Sequence, residues 1–156
     1  MLQVNVVALT ELTRALLPAM VARGRGRVLL VASTAAFQPG PTMAVYCASK
    51  AFVLSFGEAI SYELRGTGVT VTTLCPGPTY TGFTDVANTG QSVLFTGPMA
   101  SVMSPAAVAR EGYRAAAAGK RVHVVGFANK VVAVSGRFSP RALSLPVTAA
   151  ILKPGK

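Results

Sequence analysis

A chain of 156 residues, 51% hydrophobic and only 13% charged, is long enough for one domain with a core and too apolar for a disordered segment. Its net charge of +10 reflects a shortage of acids, five in all, and its bases stand in ones and twos without interleaved aromatics, tryptophan or zinc spacing, which argues against nucleic-acid binding. Two cysteines, Cys47 and Cys75, are too few for a disulfide framework and fit buried free thiols in a reducing, cytoplasmic setting.

Residues 2–22 place Leu2, Val6, Leu9, Leu16, Leu17 and Met20 at helical spacing, with Glu11 and Arg14 on the wetter side. Pro18 should bend the last turn, and Gly24 should stop it. Asn5 and Glu11 stand where a signal peptide would have a positive end and an apolar run, so none is expected. By itself Asn5 reads as a cap or a surface amide. The run from Arg27 to Ala32, aliphatic after its first residue, has the pattern of a parallel strand covered on both faces. It leads into Ser33-Thr34, a polar pair at the carboxyl end of a buried strand. Open α/β sheets place ligands there, and a serine capping a turn is an equal alternative.

After the loop Phe37-Gln38-Pro39-Gly40-Pro41, a long helix is predicted from Thr42 to Arg65, ended by Gly66 and Gly68. Val45, Phe52, Val53, Phe56, Ile60 and Leu64 make it apolar on more than one side, which calls for a sheet against one side and a partner subunit against the other. Within it, Tyr46 and Lys50 stand four apart and share a face. An ammonium within a few ångströms lowers a phenol's pKa by roughly 1–3 units, toward use as a proton donor or acceptor. A chance pair on a solvated helix has the same spacing.

Val69 to Leu74 is the next strand, completing a βαβ unit that brings Ser33, the helix start and Cys75-Pro76-Gly77 to one rim. The segment Pro76 to Thr81 suits a turn that offers backbone N–H groups to a ligand, or an ordinary Pro/Gly turn. The uncharged interval Val86 to Ala109 is broken by Gly90, Gly97, Pro98 and Pro105, so it reads as loop-rich and not as a membrane span. Ser104-Pro105 caps a helix over Ala106 to Ala118, ended by Gly119. Arg121 to Val125 is a third strand with His123 expected on its wetter face, and with no second histidine or carboxylate cluster a metal role is not expected. The tail, 126–156, has positive charges and no negative ones. A cover helix with a frayed end is the favoured reading, ahead of a surface helix docked on anionic lipid.

Together these residues resemble the short-chain dehydrogenase/reductase family. Tyr46 and Lys50 match its Y-x-x-x-K pair, and Ser33 precedes the tyrosine by thirteen residues as the family's serine does. Asn5, 28 residues before Ser33, matches its helical asparagine, while Pro76-Gly77 and Thr81 match the loop after its sixth strand. The resemblance is close over residues 1 to about 85 and looser beyond.

It implies a partial Rossmann-like, doubly wound parallel sheet of about three strands in a single NAD(P)-binding domain, 1–156. It also implies hydride transfer between NAD or NADP and a carbonyl or alcohol. Asn5, Ser33, Tyr46 and Lys50 would be catalytic. Tyr46, Lys50, Pro76, Gly77, Thr79 and Thr81 would bind the cofactor. The stretch 82–103 corresponds to the family's substrate loop, and Phe83, Val93, Leu94, Phe95 and Met99 within it point to an apolar substrate. Helices 2–22 and 42–65 would form a homodimer or tetramer. The family's opening strand and T-G-x-x-x-G-x-G turn have no counterpart in these residues, so the chain reads as the carboxyl-terminal part of such an enzyme. That leaves the 27–32 strand with an open edge, and it keeps a non-catalytic association module as the alternative.

Overall fold

The computed structural model describes residues 1–82, 92–96 and 102–152. Three parallel strands, β1 (Gly26–Val31), β2 (Val69–Cys75) and β3 (Val122–Val124), lie in the order β1-β2-β3. β1 pairs with β2 in the register Val28↔Val71, Leu30↔Thr73, and Thr73 faces Val122 on β3. The expected α/β class with a parallel sheet is borne out.

An opening π-helical stretch, Gln3–Ala8, runs into α1 (Leu9–Ala22). By length and composition this apolar helix could cross a membrane, but Glu11 and Arg14 interrupt it and Asn5 bonds it to the next long helix. Gly24, at φ +65°, makes the left-handed turn that lets the chain leave α1 for β1. Helix α2 (Ala44–Glu63) crosses between β1 and β2, and α3 (Val93–Thr96) is a single turn. The second half adds α4 (Pro105–Ala117), α5 (Phe127–Phe138) and α6 (Arg141–Leu152). Ser104 caps α4 by accepting a bond from the Ala107 N–H, with Pro105 at the first helical position as its sequence predicts.

Alternation along the strands decides what each helix touches. Thr73 and Leu30 face α2, where Gly57 brings the helix backbone so close that a Cβ would meet the Thr73 hydroxyl. Leu74 and Leu29 face α4 on the other side, at Gly112. Helices therefore cover both faces, and β2 between them is buried at every residue but Thr70. The core of Leu30, Val53, Leu54, Ile60 and Val71 sits between α2 and the sheet, each side chain contributing about 1.5–3 kcal/mol by leaving water. Among the described residues β1 has no partner on its outer edge, where Leu29 and Val31 are 39% and 48% exposed.

Two expectations need correction. His123 does not sit on a wet face: its side chain is 12% exposed and its Nε2 lies 2.8 Å from the Glu111 carboxylate on α4. Over 127–152 the tail is not one cover helix but two successive helices, α5 and α6, and the expected frayed end, 153–156, lies outside the described residues. Ser139-Pro140 divides them, because proline cannot continue the helix before it.

Candidate active site

The site lies at the carboxyl end of the sheet, where β1 and β2 release the chain together. Thr34 N–H bonds to Pro76 O across the two strand ends, setting Ser33 beside the Pro76-Gly77 turn. The first turns of α2 then bring Tyr46 and Lys50 over the same point. The Tyr46 and Ser33 side chains hydrogen-bond. Lys50 Nζ donates to Val31 O at 2.9 Å and lies 5.9 Å from the Tyr46 ring centre. Ser33 Oγ also accepts from Ala35 N–H at 3.1 Å.

Asn5 comes in from the opening helical stretch. Its amide donates to Ser49 Oγ at 3.0 Å, and Ser49 Oγ in turn donates to the Tyr46 carbonyl at 2.7 Å. Ser49, 1% exposed, thus ties the asparagine to the helical turn that carries the tyrosine. Asn129 of α5 is a second residue that sequence reasoning missed. Its buried amide donates to Val125 O at 2.8 Å and packs on Gly77, leaving no room for a Cβ there. A small polar residue inside an apolar helix was the only signal.

All eight residues expected at the site line one cavity of about 930 Å³: Asn5, Ser33, Tyr46, Lys50, Pro76, Gly77, Thr79 and Thr81. Thr79 Oγ1 donates to Gly77 O at 3.0 Å, closing the turn, while Thr81 is exposed at the rim. Phe95 is buried at the cavity wall with its ring 5.7 Å from Tyr80. The side chains of Phe83, Val93, Leu94 and Met99, expected to favour an apolar substrate, lie outside the described residues.

The electrostatics differ from the simple ion-pair expectation. Burial raises the Tyr46 pKa above its ordinary value; the Ser33 hydrogen bond pulls it down, and the nearby Cys47 adds to the rise. Burial likewise lowers Lys50, with Cys75 opposing. Desolvation is the largest cause for both groups, and the ammonium donates to the Val31 carbonyl. Cys75 is buried outright, its thiol pushed up to about 12, first by burial, so it stays protonated and unreactive. Among the described residues no cluster of three His, Cys, Asp or Glu could hold a metal ion.

Residues 1–92 match the family model for short chain dehydrogenases. The chain belongs to the short chain dehydrogenase family. A ketoacyl reductase, HetN, from Nostoc sp. is 45% identical to this chain over 73 residues, covering 47% of the chain and 25% of the relative. A solved 7beta-hydroxysteroid dehydrogenase superposes with a TM-score of 0.75 at 27% identity, over 95% of this chain and 57% of that one. A short-chain dehydrogenase from Sphingobium yanoikuyae, solved in complex with NADPH, gives 0.71 at 27% identity, over 86% of this chain and 52% of that one. The chain thus spans a quarter of HetN and little more than half of either solved relative.

Proposed function

We propose that this chain carries the catalytic floor of an NAD(P)-dependent oxidoreductase that acts on an apolar carbonyl or alcohol in a cytoplasmic setting. One observation carries the reading: phenol, amine, hydroxyl and turn, drawn from three separate segments, converge on one cavity. That cavity is at the large end of the range for small-molecule sites, roughly 300–1,000 Å³. Its rim offers the hydroxyls of Thr79 and Thr81 and the Gly77 N–H, donors suited to a dinucleotide's carboxamide and phosphate. The complex of the Sphingobium relative with NADPH supports the cofactor class, and the names ketoacyl reductase and hydroxysteroid dehydrogenase support an apolar substrate.

When bound, the nicotinamide supplies or accepts the hydride. Tyr46 handles the proton: as the carbonyl oxygen gains charge, the phenol gives up its hydrogen to it, and in the reverse direction it recovers one from the alcohol. Burial raises the pKa of this phenol, so in the reduction direction it begins with the proton it has to give. Ser33 donates to the same substrate oxygen and orients the phenol. Lys50 holds a positive charge under the tyrosine and offers its remaining hydrogens to the cofactor's ribose. Asn5 acts through Ser49, fixing the turn of α2 from which Tyr46 projects.

Fluorescence titration with NADPH and NADH tests the proposal. Saturable binding is expected, weakened about tenfold or more by Lys50→Ala. Absence of saturable binding to either nucleotide would assign the chain instead to association through α1 and α2, whose Leu12, Leu16, Val45 and Tyr62 are exposed and suit a homodimer or tetramer.

A further inference from the structure

The last two helices are built inside out. On α5 the residues facing the protein are Asn129, Ala133 and Gly136, the last packed against the Phe37 carbonyl. Phe127, Val131, Val134 and Phe138, spaced four, three and four apart and so on one face, point to solvent. The two phenylalanines are 82% and 79% exposed. α6 repeats the inversion. Ser144 and Thr148 are buried, with the Thr148 hydroxyl donating to Ser144 O, while Leu143 and Val147 face outward. A water-facing helix that hides its serines and shows its leucines is matched to an apolar medium outside the protein.

Charge narrows what that medium is. After Glu111 the sequence contains no acidic residue, whereas Lys130, Arg137, Arg141, Lys153 and Lys156 all follow the start of α5. Lys130 is exposed one residue before Val131 of the apolar face. A second copy of this chain docked there would bring the same excess of bases together, and the Glu111 carboxylate near Lys130 is already bonded to His123. A bilayer with anionic headgroups supplies both an acyl phase and the opposite charge.

We propose that α5 and α6 form a peripheral docking surface for an anionic lipid membrane, with the Phe127/Val131/Val134/Phe138 face inserted at the headgroup boundary. The inner side of α6 lines the cavity through Thr148, Ile151 and Leu152, so the docked face lies one helix thickness from the candidate active site. The docking proposal itself stands on exposure and charge and does not depend on the chemistry assigned to that site.

Vesicle flotation tests it, since lipid-bound protein rises and aggregated protein does not. The full chain should float with phosphatidylcholine/phosphatidylglycerol vesicles at low salt at least about tenfold more strongly than with phosphatidylcholine alone, and high salt should erase the difference. The double variant Phe127→Ser/Phe138→Ser, altered only at exposed positions and checked for an unchanged circular-dichroism spectrum, should lose at least about tenfold in partitioning. Lys130→Glu should lose about fivefold or more on the anionic vesicles and little on the neutral ones. Flotation indifferent to lipid charge, or unchanged in the double variant, overturns the proposal. So does a wild-type dimer that the double substitution converts to monomer without any lipid binding, an outcome that assigns the face to a second copy.

Discussion

Helices α2 and α5 meet the rest of the protein under opposite rules. α2 turns Val53, Leu54 and Ile60 onto the sheet and lets Gly57 bring the backbones together, whereas α5 turns Asn129, Ala133 and Gly136 inward and leaves its bulky side chains outside. The first arrangement derives its stability from apolar burial. The second derives little from it, and its inward contacts serve the site by packing an amide against Gly77. The βαβ unit therefore carries Ser33, Tyr46 and Lys50 on a packed apolar core, and α5 meets the cavity from outside that core.

The largest expected effect falls on the chemistry of the first unit. Tyr46→Phe keeps the ring and removes the proton, so turnover of a carbonyl substrate should fall by roughly 10²–10⁴-fold with cofactor affinity within a few-fold. Reduction by the unaltered enzyme should hold through neutral pH. It should decline only in the alkaline range, as the phenol ionises above its ordinary pKa near 10. A steady-state pH profile already falling near neutrality would show that burial does not control this tyrosine.

Next in size is the packing contrast itself. Gly57→Ala drives a methyl group into the Thr73 hydroxyl and toward Leu30 Cδ1, 3.1 Å from the new carbon, and should cost about 1–3 kcal/mol in urea unfolding. Phe127→Ser, at a position 82% exposed, should change stability by less than about 0.5 kcal/mol in lipid-free buffer. Equal losses from the two would erase the distinction between the units.

The two units also differ in how much of them the sequence disclosed. The strand run 27–32, the helix 42–65 with its Tyr46/Lys50 pair and the strand at 69–74 could be read because their apolar residues point inward, so periodicity and burial agree. The eight residues expected at the site were legible through the family resemblance that their motifs carry, and strand ends brought together by parallel pairing place them around one cavity. In the tail the apolar period is present but faces outward, so it suggested a cover helix where two inverted helices stand. His123 was misplaced because alternation along a three-residue strand cannot show that Glu111, twelve residues earlier, reaches back to it. The low Tyr46 pKa expected from Lys50 failed because i,i+4 spacing fixes proximity but not burial, and burial raises the phenol and lowers the amine.

A smaller effect sharpens the picture of the first unit. The hydroxyls of Thr72 and Thr73 are buried on β2 without a hydrogen-bond partner, a cost the strand bears in its middle. Thr72→Val keeps the shape and removes the unsatisfied group, so it should raise stability by about 1 kcal/mol in the same urea titration.

The smallest effect lies where α4 meets β3 at the edge of the sheet, and should stay local. The His123 hydrogen bond, the first of several causes, holds the Glu111 carboxyl below its ordinary pKa, and Glu111 sits on α4 while His123 sits on β3. A carboxylate depressed in the folded state contributes stability above its unfolded pKa and loses it as pH falls through the folded one. Glu111 is 45% exposed, so solvent screening limits the contribution to less than about 1 kcal/mol. Glu111→Gln should therefore flatten the loss of stability on acidification below the ordinary carboxylate range. Hydrogen exchange should quicken at β3, where Val125 N–H bonds to Cys75 O, with little change at Val71 in the middle of β2. Faster exchange at both places would mean that β3 and α4 unfold together with β2 as one cooperative unit.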